Sequence, residues 1–293
     1  MLLLKTKNEV RNTVKEWRKN DLTIGFVATM GCLHEGHKSL IKKAIRENNK
    51  VVVSIFVNPT QFGPNEDYEK YPRDMEADLK MCTYENVDLV FAPDTVEMYK
   101  ESNLSYVDIN KLGDGLCGEK RAGHFRGVCT VVSKFFNIIT PNRAYFGQKD
   151  YQQLAIIRRM VKDLDFNIEV VSCPTVRQED GLAISSRNHY LSSDERTFAL
   201  VLPRTLELAK KLLEDGEKKA DIIKGLIIKE LMGEPMISID YVEVVDADEL
   251  KPIQIITGTI LVAVAIFVGK TRLIDNFLFE SNANILINKR CKE

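Results

Sequence analysis

The stretch LTIGFVATMGCLHEGH, residues 22–37, joins a short apolar run to a turn that contains two glycines and two histidines. Leu22–Thr29 is rich in β-branched and other apolar residues and ends in a polar turn, which predicts a buried strand. Gly36–Asn48 then follows the pattern of a helix, and Lys50–Val57 predicts a second buried strand. A strand, a helix and a second strand in this order predict a right-handed crossover and a parallel sheet.

The alternation of strands and helices continues up to about residue 175. A helix is predicted for Pro72–Glu85, and apolar side chains recur on one helix face between residues 128 and 139. Further strands are predicted for Val87–Ala92, Arg143–Gly147 and Asn167–Ser172. We therefore predict an α/β fold with a doubly wound, Rossmann-like parallel sheet, whose ligands bind at the carboxyl ends of the strands.

The pattern changes after residue 175. Two helices and then three strands are predicted, which is typical of a small α+β domain. The helices are Ser192–Glu214 and Lys218–Met232, and the strands are Ile237–Val245, Thr259–Val268 and Arg272–Phe279. We expect a nucleotide- and substrate-binding domain at 1–175, a smaller lid domain at 176–293, and a polar tail from Ser281 to Glu293.

The composition excludes several classes of protein. Lys and Arg number 41 and Asp and Glu 42, so the chain lacks the basic excess that binds a nucleic-acid backbone. Six cysteines without a Cys-x-x-Cys pair indicate reduced thiols rather than a disulfide framework. The most apolar run, Ile260–Val268, is far shorter than the ~20 residues that cross a bilayer. We expect a soluble cytoplasmic protein without a nucleic-acid or membrane partner.

The turn Met30–His37 lies between the first strand and the next helix, where a doubly wound sheet presents backbone amides to a bound phosphate. Its His-x-x-His pair can stabilise the negative charge that develops on departing pyrophosphate. One alternative is that His34 and His37 are surface or helix-capping residues. A zinc site is disfavoured, because the metalloprotease motif spaces its histidines by four residues and here the spacing is three.

Three further segments place polar groups after predicted strands or at the domain boundary. Asn58–Gly63 is a candidate substrate site, although Asn-Pro is also an ordinary turn signal. In Phe146–Gln153, Lys149 can bind phosphate and Asp150 can help to hold Mg²⁺, or simply cap the helix. Gly181–Asn188 contains two serines and an arginine that suit a phosphate clamp, although such loops are often only solvated.

Taken in order, these motifs resemble the pantothenate synthetase family, within the superfamily of nucleotidyltransferases. The matching segments are TMGCLHEGH, SIFVNPTQF, YPR, DLVFAP, GHFRGV, TVVSKFFNI, FGQKDYQQL and DGLAISSRNHYL. The resemblance implies that pantoate and β-alanine are joined through a pantoyl-adenylate, with ATP and Mg²⁺, in a homodimer. Ala28, Ala122 and Gln148 depart from the usual family residues, which puts local loop stiffness in doubt rather than the reaction.

The resemblance also implies roles for individual residues. His34, His37, Lys149 and Arg187 are the candidate catalytic residues, with His37 as the acid. Gln61 and Gln153 are expected to bind pantoate, Gln61 to lie near β-alanine, and Asn58 to bind substrate; no residue is assigned to a metal. The ATP-contacting residues would be Met30, Gly31, Cys32, Leu33, His34, Glu35, Gly36, His37, Gly147, Gln148, Lys149, Asp150, Val176, Ile184, Ser185, Ser186 and Arg187.

Two other functions share some of these features. A nucleotidyltransferase that keeps the nucleotide on its product would have the same strand, His-x-x-His turn and helix, but would not require the pair Gln61 and Gln153. A nucleotide sensor without activity would retain the pocket alone. Release of AMP that depends on β-alanine distinguishes the ligase from both.

Overall fold

The computed structural model describes residues 1–64, 66–100 and 103–281. The chain divides into two compact units. The first comprises Met1–Gln148 and Gln152–Val176, and the second comprises Lys149–Tyr151 and the residues from Arg177 onward. The tail predicted for Ser281–Glu293 lies, apart from Ser281, outside the described residues.

The first unit contains a six-stranded parallel sheet with the strand order β1-β4-β3-β2-β5-β6. Its strands are β1 (Leu2–Leu4), β2 (Ile24–Thr29), β3 (Lys50–Ile55), β4 (Leu89–Phe91), β5 (Arg143–Gly147) and β6 (Glu169–Cys173). The predicted doubly wound α/β fold is confirmed. β1 was not predicted, because three leucines are too few to show a period; they form an edge strand by pairing with β4.

Several helices accompany this sheet. They are α1 (Lys7–Lys19), α2 (Glu35–Glu47), α3 (Met75–Tyr84), α4 (Thr95–Met98), α5 (Cys117–Lys120), α6 (His124–Ile139) and α7 (Tyr151–Asp163). α6 is buried along most of its length, because apolar or small residues occupy nearly every position. α1 begins at a capping box of Thr6 and Glu9 and buries only Val10 and Val14.

The switch point of the sheet lies beside β2. From β2 the chain proceeds to β3 on one side, whereas β5 pairs with β2 on the other side. Ligands of open α/β sheets bind at the carboxyl ends of the strands beside such a reversal. The loops that leave β2 and β5 begin at Met30 and Gln148, so both belong to the edge where binding is expected.

The second unit is an α+β domain, as predicted. It contains α8 (Ser193–Ala199), α9 (Val201–Glu214), α10 (Ala220–Met232) and an antiparallel sheet of β7 (Ile237–Asp246), β8 (Thr259–Val268) and β9 (Thr271–Glu280). The apolar run Ile260–Val268 forms the central strand, which explains why it is almost entirely buried. Within the described ranges, no helix combines the length and the apolar character required to cross a membrane.

The single helix predicted for Ser192–Glu214 is wrong in one respect, because the chain forms two helices that meet at Leu200. Pro203 lies in the first turn of the second helix. Proline has no N–H to donate to the carbonyl of Ala199, so the first helix cannot continue through this point.

Candidate active site

The loop after β2 is held by a carboxylate that the sequence did not reveal. Asp78 on α3 is 3% exposed, and its two oxygens accept the backbone N–H groups of Cys32 (3.0 Å) and Leu33 (2.7 Å). Gly31 and Cys32 both have positive φ angles, of 85° and 51°. A side chain at Gly31 would place its Cβ 2.9 Å from Asp78 Oδ2. The loop therefore requires glycine here, and Asp78 fixes its path.

Burial raises the pKa of the Asp78 carboxyl, while the hydrogen bonds from Leu33 and Cys32 oppose that rise and the charge of Asp74 adds to it. Burial, with the charges of Asp78 and Asp74, also raises the pKa of the Cys32 thiol. Because the thiolate is the reactive form, a raised pKa disfavours Cys32 as a nucleophile.

The two histidines of the motif cap the start of α2. His34 is the N-cap residue, and its Nδ1 accepts the backbone N–H of Gly36 at 3.2 Å. His37 Nδ1 accepts the backbone N–H of His34 at 3.3 Å, which completes a reciprocal capping box. The two rings stack with centroids 4.1 Å apart and an interplanar angle of 29°.

These bonds determine which nitrogen carries the proton. A neutral imidazole has one donor and one acceptor nitrogen, and in both rings Nδ1 is an acceptor. The proton of each neutral ring is therefore on Nε2, which makes Nε2 a hydrogen-bond donor. The capping alternative is correct as far as Nδ1 is concerned, and it makes Nε2–H the donor at a helix N-terminus, where anions are favoured.

Gln61 forms hydrogen bonds both within the candidate substrate segment Asn58–Gly63 and to the loop after β2. It ends a short 3-10 helix, Pro59–Gln61, and is 8% exposed. Its Nε2 donates to the sulfur of Met30 at 3.2 Å, and its Oε1 accepts from Asn58 Nδ2 at 3.1 Å. The structure thus brings the predicted substrate residue Gln61 into contact with the predicted ATP residue Met30.

Asn58 is buried within the protein rather than presented to solvent, at 2% exposure. Its Nδ2 also donates to the carbonyl of Gly127 at 3.2 Å, and its Oδ1 accepts from Tyr99 OH (2.8 Å) and Thr60 Oγ1 (2.9 Å). This geometry makes Asn58 a support for Gln61. Direct contact between Asn58 and substrate stays a prediction.

A second support for Gln61 was not apparent from the sequence. His124 Nδ1 lies 2.8 Å from the Gln61 carbonyl, and Arg121 lies 3.0 Å from His124 Nε2. Since arginine can only donate, Nε2 accepts and Nδ1–H donates to Gln61. Arg121 also pairs with Glu66 (2.8 Å). Burial would raise the pKa of Glu66, but the hydrogen bond and charge of Arg121 outweigh it and lower that pKa.

The residues after β5 divide between the two units. Gly147 ends β5, and an added Cβ there would meet no atom within 4 Å, which leaves space for a ligand. Gln152 is structural, because its side chain bonds to Leu112, Gly115 and Cys117 at 2.8–3.0 Å. Gln153 beside it is half-buried, as are Gln148 and Val176.

In the second unit, Lys149 and Asp150 belong to the 3-10 helix Gln148–Asp150. The Lys149 side chain is 20% exposed and its Nζ lies 4.0 Å from Asp150 Oδ2. Ser185 caps a second 3-10 helix, Ser186–Tyr190, and its Oγ accepts the backbone N–H of Arg187 at 3.3 Å. Ser186 is buried, whereas Ile184 and Arg187 are half-buried.

Comparison with known proteins identifies the family. A sequence profile described as Pantoate-beta-alanine ligase matches residues 2–278. The pantothenate synthetase of Clostridium novyi (strain NT) is 59% identical over 280 residues, which cover 96% of this chain and 99% of the relative. The chain belongs to the pantoate–β-alanine ligase family.

Solved structures of the ligase family agree with this fold. The pantothenate synthetase from Thermus thermophilus superposes with a TM-score of 0.90 at 44% identity, covering 94% of this chain and 99% of that one. A pantoate–β-alanine ligase from Francisella tularensis, described as complexed with beta-gamma ATP and beta-alanine, superposes with a TM-score of 0.76 at 36% identity and covers 95% and 97% of the two chains.

Three residues, Ala28, Ala122 and Gln148, depart from the usual ligase pattern, and each fits the local secondary structure. Ala28 lies within β2 opposite Ser54 of β3, and Ala122 is exposed in the turn before α6. Gln148 begins the 3-10 helix that carries Lys149. None of the three interrupts an element of this ligase.

Proposed function

We propose that this enzyme condenses pantoate with β-alanine in an ATP-dependent reaction through a pantoyl-adenylate, and releases AMP and pyrophosphate. The observation that carries the proposal is the stacked pair His34 and His37 at the N-terminus of α2, with both Nδ1 atoms engaged by the backbone. This arrangement presents two Nε2–H donors beside the switch point of the sheet. Gln61 connects to the same loop through Met30.

In the first half-reaction, a carboxylate oxygen of pantoate attacks the α-phosphorus of ATP and the bond to pyrophosphate breaks. Negative charge builds on the departing pyrophosphate. Fixed donors at that point lower the barrier, because they need no reorganisation during the reaction. We assign this role to the Nε2–H groups of His34 and His37, with His37 as the acid, and to Lys149, Ser185, Ser186 and Arg187.

The second half-reaction forms the amide. The amine of β-alanine attacks the acyl carbon of the adenylate, the bond to AMP breaks, and the nitrogen loses a proton. No covalent enzyme intermediate is required, so catalysis rests on alignment and charge stabilisation. Gln61 and Gln153 would bind the hydroxyl or carboxylate groups of pantoate, with Asn58 and His124 holding Gln61 in place.

Mg²⁺ enters this reaction as part of the ATP substrate. Among the described residues there is no group of three or more His, Cys, Asp or Glu side chains that could hold a metal ion. The phosphates and water would therefore supply most of its ligands, which is usual for this small, strongly hydrated ion. Asp150, whose side chain is 52% exposed, is the residue proposed to assist. We further propose that the enzyme acts as a cytoplasmic homodimer.

The test is an assay of the purified protein with ATP, Mg²⁺, pantoate and β-alanine that follows AMP and pantothenate together. The ligase releases one AMP for each pantothenate, and it turns over only when β-alanine is present. A transferase that keeps the nucleotide on its product would consume ATP without releasing AMP. A nucleotide sensor would bind ATP without turnover.

A further inference from the structure

We propose that Asp275 and Asn276, consecutive residues of β9, are positioning residues for the phosphate-binding groups Arg187 and Lys149. The inference rests on the proposed function, because it assumes that Lys149 and Arg187 act on the triphosphate of ATP. Asp275 and Asn276 lie away from the motifs of the sequence, and neither is expected to touch a substrate.

Asp275 forms a buried ion pair with Arg177. The Asp275 side chain is fully buried, and its two oxygens accept from the Arg177 guanidinium at 2.6 Å and 2.9 Å. This is the bidentate geometry that gives an arginine–carboxylate pair both strength and a fixed orientation. The hydrogen bond and charge of Asp275 raise the pKa of Arg177, which therefore stays charged.

Arg177 in turn holds the base of the segment that ends at Arg187. Its guanidinium also donates to the carbonyl of Gly181 at 3.1 Å, and its backbone forms a bridge with Ala183. The turn between them is closed by a bond from the Gln178 N–H to the Leu182 carbonyl at 2.9 Å. Asp275 therefore fixes the point from which Ile184–Arg187 projects.

Asn276 fixes the other phosphate-binding group. It is 7% exposed, and its Nδ2 donates to the backbone carbonyl of Lys149 at 2.7 Å. The bond orients the peptide of Lys149 directly, while the Lys149 side chain remains available for phosphate. Consecutive residues of a strand face opposite sides of the sheet, so β9 serves the two groups from its two sides.

The energetics of the buried pair Asp275–Arg177 favour a role in positioning over a role in stability alone. A buried ion pair is often no more stable than apolar residues of the same size, because the charges lose their hydration. β9 pairs with β8 along its whole length, so the strand has ample backbone support without Asp275. What the charged pair adds is a defined geometry for the segment that follows Arg177. Groups that touch substrate in active sites depend on such supporting bonds.

The experiment compares Asp275→Asn and Asn276→Ala with the control Asp240→Asn. Asp240 Oδ2 accepts from Arg272 at 2.8 Å and 3.0 Å in the same sheet, so the control removes the carboxylate charge of an ion pair that has no part in the contacts to Lys149 and Arg177 described above. ATP affinity is measured by calorimetry, and adenylate formation by rapid quench with pantoate. We expect Asp275→Asn and Asn276→Ala each to weaken both ATP affinity and adenylate formation by about 10-fold or more, the scale known for residues that orient metal ligands. Asp240→Asn should lower only the melting temperature.

Double variants show whether the effect passes through the named groups. Asp275→Asn should have little further effect in an Arg187→Ala background, and Asn276→Ala little further effect in a Lys149→Ala background, because coupled residues are not additive. The inference would be overturned if a β9 variant reduced ATP affinity and adenylate formation by the same factor in the alanine background as in the wild-type enzyme. It would also be overturned if the β9 variants reduced them no more than Asp240→Asn does. If Asp275→Asn does not fold, Arg177→Lys keeps the charge, breaks the bidentate pair and is expected to give the same result.

Adenylate formation by the wild-type enzyme distinguishes a failure of this inference from a failure of the proposed function. If the wild-type enzyme forms no adenylate from ATP and pantoate, the proposed function fails. If the wild-type enzyme is active and the β9 variants behave like Asp240→Asn, only the positioning role fails.

Discussion

The rings of His34 and His37 stack 4.1 Å apart, and Nδ1 of each accepts a backbone N–H at the start of α2. The helix therefore determines the tautomer of both side chains, and both protons of the neutral pair are on Nε2. Capping and catalysis are compatible here, because they use different nitrogens of the same ring.

This relationship allows the two roles to be separated by mutation. Asn is a strong N-cap residue and Glu completes a capping box, so His34→Asn and His37→Glu should keep the helix start while removing the Nε2–H donors. We expect each variant to retain its melting temperature and to lose ~2.7–4 kcal/mol of stabilisation in adenylate formation, as for a lost transition-state donor.

Rapid-quench measurement of each half-reaction is the check. Amide formation expels AMP rather than pyrophosphate, so both variants should still convert supplied pantoyl-adenylate and β-alanine to pantothenate. If the adenylate-fed reaction collapses in a normally folded variant, the assignment to pyrophosphate is wrong. Full activity in both would mean that the pair is only a cap.

Replacing Gln61 or Gln153 is predicted to weaken the binding of pantoate more than the binding of ATP. Replacing either with Ala removes a hydrogen bond to a charged or polar substrate group, which costs ~1.5–3 kcal/mol. Calorimetry with each ligand gives the comparison. Gln152→Ala is the control, since the Gln152 side chain bonds to the 112–117 segment, and it should lower the melting temperature. Equal losses of ATP and pantoate affinity in the Gln61 and Gln153 variants would count against the assignment.

Asp78→Asn should separate stability from activity. The pKa of Asp78 is raised mainly by burial, so the folded state binds its proton more tightly than the unfolded state does. Stability contributed at this site therefore falls as pH rises above the unfolded value and through the folded pKa. Asp78→Asn removes the burial cost of a carboxylate, but one of the two backbone N–H groups that it accepts loses its acceptor, so we expect little net change in the free energy of unfolding.

Activity should fall even though the free energy of unfolding changes little. An amide can accept only through its oxygen, and its NH₂ group opposes one of the two N–H groups of Cys32 and Leu33. We expect a higher KM for ATP and slower adenylate formation. Asp74→Asn is the control, because Asn still caps α3 and only the charge is lost. A loss of activity that merely follows a loss of stability would refute a positioning role for Asp78.

The segment 184–187 is predicted to be protected by ATP. Loops that complete a phosphate site commonly become less accessible when the ligand binds. Limited trypsin digestion should therefore cleave after Arg187 more slowly when ATP and Mg²⁺ are added. Cleavage after Lys218, in the exposed turn between α9 and α10, should not change. An unchanged rate at Arg187 under saturating nucleotide would show that the segment does not close, although a preformed loop could still bind phosphate.

Periodicity and turn chemistry were sufficient to predict most of the fold. β2, β3 and β8 are apolar runs with clear ends, and their predicted and observed limits differ by few residues. β1 was missed because its three residues form a strand only through pairing with β4. The division of the long helix at Leu200 is not apparent from periodicity, because the helical pattern continues on both sides of Pro203.

The candidate site was predictable only where the residues are adjacent in sequence. His34, His37 and Gln61 follow strands directly, so their position indicated a role. Asp78 lies 45 residues beyond Leu33, and Asp275 lies 98 beyond Arg177. Such partners meet only through the fold. A buried aspartate in a helix or strand looks like an ordinary polar residue until its hydrogen bonds are seen.

The most direct test of the acyl-adenylate follows the oxygen atoms of pantoate. When the carboxylate attacks the α-phosphorus and the amine later displaces AMP, one carboxylate oxygen leaves with AMP. With pantoate labelled by oxygen-18 in its carboxylate, mass spectrometry should therefore find one labelled oxygen in each AMP and none in pyrophosphate. Unlabelled AMP, or label in inorganic phosphate together with ADP, would contradict a pantoyl-adenylate intermediate.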